Sequence, residues 1–545
     1  MTSGPPAYDR GVTLDALIEW LDAAMHRLPK KAAATSGVKH VRKLYGILDA
    51  QGVEETFRLD WHRLAVKVAK LLKEPLPEAP APAKAKAKKR KPTQPAPVSR
   101  SPRAKRELAK KPAREVIEIN AQLQAAFDAV GAGRPILFVT GGAGTGKSTF
   151  IRELRDRFPE KQSVVLAPTG VAALNAGGQT IHSFCQLPLR PVLPTDAREA
   201  DEPELIQALQ MVIIDEISMV RADVLDGVDA FLRLNRKSPQ PFGGVQMVLV
   251  GDLFQLPPVV TFNDRELIHS RYATPQFFSA NALRGLKFFP VELEIVYRQR
   301  DATFAEMLAK IRDGDGAGEA LQRLNELCVG RTLTARHLIL VPTRKAAALE
   351  NEARLAELPG PERTYTAKRE GTFESAPDDR LPAPPQLALR KGAQVMFVRN
   401  DPERRWVNGT LGEVKELRDA AVRVRLEDGI SFEVERIEWQ DIRYALRESK
   451  EGEESKKNIV EEVAGTYEQF PLMPAWAVTI HKAQGLTLAK VLVDLDRGAF
   501  AEGQVYVALS RCQTLEGLSL RRAVRLSEVR TSEAARGFYA KMRRR

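Results

Sequence analysis

Between residues 13 and 72 the apolar positions recur at helical spacing. Leu14, Leu17, Ile18, Leu21, Met25 and Leu28 share one face, and Thr13 is placed to cap it. Val38, Val41, Leu44, Tyr45 and Leu48 make a second face closed by Gly52, and Trp61, Leu64, Val68, Leu71 and Leu72 make a third. Residues 1–75 therefore predict a helical accessory module, with two readings open: a three-helix DNA-binding bundle, or a docking unit for a protein partner. The period then vanishes. Nine prolines stand among alanines and lysines between Pro75 and Pro112, too little apolar surface to fold. Residues 76–114 predict a linker.

Beyond residue 115 the pattern changes to short continuous apolar runs. They cover 135–139, 163–167, 211–214 and 246–250, and each ends in glycine or polar residues before a helical stretch. Buried strands alternating with helices predict a parallel α/β sheet with its site at the strand C-termini, here over 115–290. The runs at 338–343 and 490–494 predict a second α/β unit from 291–400 and 471–530. Between them Val422, Val424 and Leu426 alternate with Arg423 and Arg425. Asp428-Gly429 turns the chain, and Ile430, Phe432 and Val434 alternate back as a hairpin. Residues 447–457 read as a charged loop, and 401–470 as a small barrel-like β domain inserted into the second unit.

At 545 residues several cores are expected, and 43% hydrophobic with 28% charged residues is ordinary soluble composition. Residues 1–10 hold no apolar signal core, and no apolar stretch has the length of a membrane span. Cys185, Cys328 and Cys512 lie far apart, which suggests neither a disulfide framework nor a zinc site and is too few for a four-cysteine cluster. The expected setting is a reducing cytoplasm, on the nucleoid, with no membrane partner. The net charge of +13 is uneven. Residues 79–114 carry thirteen Lys/Arg against Glu107, and the tail within 531–545 adds Arg536, Lys541, Arg543, Arg544 and Arg545. The remainder is slightly acidic. The two basic segments read as nucleic-acid-seeking arms.

Chemistry enters at residues 141–149, GGAGTGKST, between the 135–139 run and a helix start. Gly141 to Ser148 fits G-x-x-x-x-G-K-[ST] without a gap. Gly142, Ala143, Gly144, Thr145, Gly146, Lys147, Ser148 and Thr149 would cradle a nucleotide's phosphates with backbone N–H groups and the helix dipole. Lys147 would reach the β- and γ-phosphates, and the Ser148 hydroxyl would sit on Mg²⁺. Asp215-Glu216 ends a buried strand downstream, so Asp215 would hold the metal and Glu216 would orient or deprotonate water.

With Gly251-Asp252-Leu253-Phe254-Gln255-Leu256-Pro257-Pro258 the chain resembles superfamily-one helicases of the Pif/RecD-type branch. The likeness includes Ala167-Pro168-Thr169-Gly170, Thr180-Ile181-His182-Ser183-Phe184, Asp215-Glu216-Ile217-Ser218-Met219 and Val296-Tyr297-Arg298-Gln299. It continues through Trp406-Val407-Asn408-Gly409-Thr410, then Ala477-Val478-Thr479-Ile480-His481-Lys482-Ala483-Gln484-Gly485, and Gln504-Val505-Tyr506-Val507-Ala508-Leu509-Ser510-Arg511. The motifs stand in family order over about 115–527.

The resemblance implies two RecA-like P-loop domains with an SH3-like inserted barrel. It also implies an ATP- and Mg²⁺-dependent DNA helicase acting on single-stranded DNA and its junctions with duplex, travelling 5′→3′ in repair, recombination or replication. By position, Lys147, Asp215, Glu216, Gln255, Arg298 and Arg511 are its catalytic set. Gln255 resembles the glutamine that senses the γ-phosphate, and Arg298 and Arg511 resemble arginine fingers. Guanidinium forks suit a phosphoryl transition state, and their distance along the chain from the P-loop implies a site between two domains. Gly485 joins the nucleotide contacts. Thr169, His182, Thr479, His481 and Lys482 resemble DNA-contacting positions. The family's adenine-reading glutamine falls at Leu123, flanked by Gln122 and Gln124, with Gln122 preferred. No residue pattern identifies the strand-separating pin, for which the loop 186–203 is a candidate by position alone. An RNA helicase, an ATPase scaffold on DNA and a subunit partnered with a nuclease in trans are the competing readings.

Overall fold

The structure is a computed structural model. It describes residues 119–543 apart from 263, 300, 334–335, 404, 452–453 and 497. The expected helical module and linker, residues 1–75 and 76–114, lie outside the described residues, as do Arg544 and Arg545.

The first domain is built on a six-stranded sheet in the order β3-β2-β4-β5-β1-β6, parallel throughout. Its strands are β1 (Ile136–Gly141), β2 (Ser163–Ala167), β3 (Gln179–Thr180), β4 (Met211–Ile214), β5 (Gln246–Val250) and β6 (Phe289–Leu293). Side chains alternate across the sheet. Leu137, Val139, Val165, Ile213, Val248 and Val250 meet α1 (Ala121–Gly131) and α2 (Lys147–Arg157) through Leu123, Phe127, Phe150 and Leu154. Phe138, Val164, Leu166, Ile214 and Leu249 form the opposite core. Helices α3 (Gly170–Ala176), α4 (Ile181–Phe184), α5 (Pro203–Ala208), α6 (Ala222–Arg236) and α7 (Arg265–Arg271) complete the domain, and Leu225, Val228, Phe231 and Leu232 of α6 fill that core. Burying both faces is why these strands read as continuous apolar runs.

The second domain opens with α8 (Ala302–Asp313) and α9 (Ala317–Cys328), followed by β7 (Leu338–Val341) and α10 (Arg344–Ala356). The chain then leaves the domain through β8 (Arg363–Thr366), β9 (Lys368–Gly371), β10 (Gln386–Leu389), β11 (Gln394–Phe397), β12 (Leu411–Leu417), β13 (Ala421–Leu426), β14 (Ser431–Glu435), β15 (Ile437–Glu451), β16 (Glu454–Gln469) and β17 (Leu472–Pro474). It returns as β18 (Ala477–Thr479), β19 (Val491–Val493), α11 (Gln504–Leu509) and β20 (Leu518–Leu520). The four-stranded parallel sheet β18-β7-β19-β20 thus combines strands from both sides of the excursion.

The excursion differs from the expected 401–470 unit in two ways. Its main antiparallel sheet, β14-β13-β12-β11-β17, takes in β11 and β17 from outside that range. Val395 and Phe397 share a core with Trp406, Val414, Val424, Phe470 and Leu472, so the flanking strands are needed to close it. Residues 447–457 also contain strand rather than only a loop. They lie at the end of a long hairpin in which Arg447 pairs with Asn458 and Glu448 with Lys457. Opposite charges make that ladder favourable: Arg443 and Arg447 both bind Glu462, at 3.3 and 2.6 Å. The hairpin lands on the first domain. Tyr444 is buried with its hydroxyl accepting the Val165 N–H at 3.0 Å, and Arg155–Glu461 and Lys457–Glu204 pairs flank it.

The expected basic tail, 531–545, is also corrected. Residues 533–543 form α12 (Glu533–Arg543). Ala535, Phe538, Tyr539 and Met542 make a stripe packed into the first domain's core, while Arg536, Lys541 and Arg543 occupy other faces. Charge dominated the sequence pattern here, yet apolar residues at i, i+3, i+4 and i+7 are what bury the helix.

Among the described residues no helix is long and apolar enough to cross a membrane, and the three cysteines are free and buried.

The Phe538 ring stacks on Phe278 at 4.6 Å and meets Phe138 at 6.0 Å. Phe538→Ala is expected to cost about 2–3 kcal/mol in reversible denaturant unfolding. A free tail would leave the midpoint unchanged.

Candidate active site

Strand β1 delivers the chain into a turn whose geometry only glycine tolerates cheaply. Gly144 and Gly146 take φ of +80° and +94°. A Cβ on Gly144 would stand 2.2 Å from the Arg298 Cβ, because the 296–299 segment lies directly on the turn. The Tyr297 N–H donates to the Gly144 carbonyl at 2.9 Å. Helix α2 starts at Lys147, whose ammonium donates to the Gly141 and Gly142 carbonyls at 2.8 Å each. Burial lowers the Lys147 pKa, against the raising effect of Asp252 and Glu216. Gly142 to Thr149 all fall within this turn and the first residues of α2, with Ser148 exposed.

The acidic pair follows β4. The Asp215 carboxylate accepts the Glu216 N–H at 2.8 Å, and burial together with the Glu216 charge pushes its pKa up to about 7. Glu216 has φ +49°, a strained conformation for a residue with a side chain. Its carboxylate accepts from Gln484 Nε2 of the second domain at 3.1 Å. The same Gln484 amide lies 3.4 Å from Gln255 Oε1, and Gln255 Nε2 donates to Asp252 at 3.3 Å. Gln255, Gln484 and Glu216 therefore meet across the domain boundary.

The arginines come from the crossing segment 293–302 and from the second domain. Arg298 Nε donates to Thr487 Oγ1 at 3.0 Å and Nη2 to the Gly485 carbonyl at 3.3 Å, while Nη1 is buried without a partner. Arg511 is 1% exposed. Its guanidinium donates to the Val507 carbonyl at 2.9 Å and to Ser510 Oγ at 2.8 Å. Burial first, and the neighbouring Arg298 charge second, bring the Arg511 pKa down to about 9. From α11 the Tyr506 hydroxyl accepts the Ala143 N–H of the turn at 2.8 Å. Gly503, just before that helix, has φ +68°, and a Cβ there would stand 2.5 Å from the Phe254 and Gln255 carbonyls.

Gln122 and Gln124 separate. Gln122 exchanges two hydrogen bonds with Glu294, at 2.9 and 3.0 Å, beside the segment that crosses the turn. Gln124 bonds Asp128 within its own helix, and Leu123 is buried. The five expected DNA contacts fall into two groups. Thr169 caps α3, accepting the Ala172 N–H at 3.2 Å, and His182 lies in α4 near Arg221 and Arg380. On the second domain Thr479 ends β18 and accepts the Lys482 N–H at 3.2 Å, with His481 near Arg344. Burial, then the adjacent arginines, lowers both histidine pKa values.

Sequence reasoning assigned no role to Gln484, Asp252, Arg312 or Tyr506. Gln484 and Asp252 stand inside quoted motifs, which is a usable signal. Arg312 is one arginine on an amphipathic helix and carries none. It nevertheless forks onto Asp252 at 2.9–3.2 Å, and Asp252 is fully buried. Burial alone would raise the Asp252 carboxyl, but the Arg312 and Lys147 charges outweigh it and hold it below the ordinary range.

The PIF1-like helicase family model matches residues 118–320. The ATP-dependent DNA helicase Pif1 of Bdellovibrio bacteriovorus is 34% identical over 411 residues, 74% of this chain and 88% of that protein. Human ATP-dependent DNA helicase PIF1 is 34% identical over 448 residues, covering 78% of this chain and 64% of the human one. The chain thus spans less than two thirds of its human relative's length. Pif1 from Bacteroides sp. in complex with ADP-AlF4 superposes with TM-score 0.71 at 35% identity, over 78% of this chain and 97% of that one. Bacteroides Pif1 bound to single-stranded DNA gives TM-score 0.57 at 36% identity, with the same coverage of both chains. The chain belongs to the PIF1-like helicase family.

Proposed function

We propose that the chain is an ATP-dependent DNA helicase that hydrolyses ATP between its two parallel-sheet domains and moves along single-stranded DNA. One observation carries this reading. Lys147 from one domain, Arg298 from the segment that crosses to the other, and Arg511 from that other domain converge on the 141–148 turn, beside the Asp215-Glu216 pair. One fully buried and two half-buried cations, with one unpartnered guanidinium nitrogen, suit a polyphosphate, and a deeply desolvated cation gains most from such an anion.

The residues divide the work. The glycine turn and Lys147 bind the phosphates. Glu216 orients water, and its bond to Gln484 ties that orientation to the second domain's position. Gln255 carries the link toward the 251–258 turn. Arg298 and Arg511 stabilise charge as it develops on the departing phosphoryl oxygens, a role for which donors fixed in a dry site are effective. Gln122, held beside the turn by Glu294, is our choice for the adenine contact, and Gly485 for a nucleotide contact. Among the described residues no cluster of three or more His, Cys, Asp or Glu could hold a metal by itself. Ser148 and Asp215 fit Mg²⁺, an ion usually bound through one or two carboxylates plus substrate phosphates. Bound there, it would neutralise phosphate charge.

Thr169 and His182 on one domain, with Thr479, His481 and Lys482 on the other, form our proposed DNA track. A change in the angle between the domains would alter the spacing of those two groups. The solved Bacteroides relative bound to single-stranded DNA supports DNA as the strand. We further read the antiparallel sheet as the family's SH3-like barrel, residues 1–75 as an accessory module, and travel as 5′→3′. ATPase turnover with and without single-stranded DNA tests the motor, and unwinding of all-DNA against all-RNA duplexes tests the substrate. No DNA stimulation would overturn the reading.

Two substitutions separate binding from chemistry. Lys147→Ala is expected to abolish hydrolysis while single-stranded DNA affinity, followed by fluorescence anisotropy, stays within about twofold. Arg511→Ala is expected to retain ATP binding and lose roughly 10³-fold or more in maximal rate, as arginine fingers do. Equilibrium binding of a fluorescent nucleotide beside steady-state kinetics checks this. Lost affinity at unchanged maximal rate would assign Arg511 to the ground state.

A further inference from the structure

We propose that α12 and Arg312 form a strap that holds the 252–255 turn in register with the phosphate-binding turn, with Tyr539 and Arg312 as positioning residues for ATP hydrolysis. This rests on the helicase reading above. The Tyr539 ring stacks on Phe254 at 5.1 Å and 21°. Its hydroxyl bonds Thr140 Oγ1, the residue immediately before Gly141, and accepts the Leu253 N–H at 3.4 Å. One buried hydroxyl therefore touches both the strand entering the phosphate turn and the turn carrying Gln255. A tyrosine needed only for bulk would not require those two partners.

Arg312 completes the arrangement from the second domain. Its guanidinium lies 5.0 Å from the Phe254 ring centre and 5.9 Å from that of Tyr539, with Asp252 on its fork. Besides Arg312, Asp252 accepts the Phe254 N–H at 3.2 Å and Gln255 Nε2 at 3.3 Å. Gln255 then meets Gln484, which reaches Glu216. A continuous chain of contacts thus runs Tyr539–Arg312–Asp252–Gln255–Gln484–Glu216. The strap also fixes the end of α8. Arg536 of α12 donates to the Asp313 carbonyl at 2.6 Å, and a Cβ on Gly314, at φ +81°, would stand 2.1 Å from the Arg536 guanidinium. Breaking one partner of a buried pair leaves a charge uncompensated, so small errors in this network displace Gln255 rather than being absorbed. Misplacement of about 1 Å can cost up to a hundredfold in rate.

The test uses the full chain and the pair Tyr539→Phe and Arg312→Lys, singly and together. Tyr539→Phe keeps the stacked ring and removes only the hydroxyl, and Arg312→Lys keeps the charge and removes the fork. DNA-stimulated kcat, KM for ATP, single-stranded DNA affinity and the unfolding midpoint are measured for each. Each single variant is expected to lose roughly tenfold in kcat, the scale of one buried hydrogen bond. KM and DNA affinity should stay within about twofold, and the double variant should be no worse than the poorer single, as for residues acting through one network. Wild-type kcat in Tyr539→Phe, with only the midpoint lowered, would show that the strap is merely structural. A loss carried in KM, or losses that multiply to roughly a hundredfold, would equally overturn the network. Should Arg312→Lys fail to fold, Tyr539→Phe alone decides. A wild-type chain that hydrolyses no ATP would instead overturn the helicase reading itself.

Discussion

A buried guanidinium beside a half-buried one is costly, and the arrangement of Arg511 and Arg298 constrains the rest of the structure. Desolvation and mutual repulsion both oppose their charge, as the lowered Arg511 pKa shows. Backbone carbonyls and hydroxyls satisfy part of the demand, at Val507, Ser510, Gly485 and Thr487. Asp252 and Glu216 supply the opposing charge from the first domain. Such a site holds together only if both domains contribute. An anion entering it would reverse the sign of the balance, turning crowding into attraction. A cleft of this kind is suited to closing on a phosphate chain.

Neutral amides carry the link where charges would be too strong. Gln484 donates to an acid and to another amide, and Gln255 both accepts from it and donates to Asp252. Each bond is modest, worth about 1 kcal/mol net, so the set can rearrange without a large barrier. Charged pairs surround them instead, as at Arg312–Asp252, where rigidity is useful. The boundary between the domains thus combines adjustable amide contacts with one stiff charged pair.

Much of this was legible in the sequence, for reasons that differ between elements. The strands β1, β2, β4 and β5 are apolar because both sheet faces are covered, so their runs are local facts. The turn at 141–148 needs particular residues at particular spacings, and those too are local. The hairpin β15–β16 was hidden because its strands are charged. Its stability comes from cross-strand pairs and from Tyr444 landing on Val165, nearly three hundred residues earlier in the chain. The helix α12 was hidden by its arginines, although its apolar stripe was present. Arg312 had no local mark, since its significance lies in a partner sixty residues away. Contacts between distant segments leave little local pattern unless a motif records them.

The same non-local contacts determine how the domains can move. The chain crosses between them at the 293–302 segment, which lies on the phosphate turn through Tyr297 and Gly144. It reaches back a second time through the hairpin, and a third through α12. These tethers differ in kind. The hairpin lands through buried Tyr444, with Ile442, Leu446 and Ile459 packed on the same core, through hydrogen bonds to Gln162 and Glu202, and through exposed ion pairs that contribute little individually, typically below about 1 kcal/mol. The strap α12 is held by a stacked aromatic cluster, Phe138, Phe277, Phe278 and Phe538. Aromatic burial is worth several times more per residue. Both tethers therefore combine apolar burial with polar contacts, and α12 adds the aromatic cluster. Its Tyr539 touches Thr140, Leu253 and Phe254, so the helix lies directly behind both the 141–148 turn and the 252–255 turn.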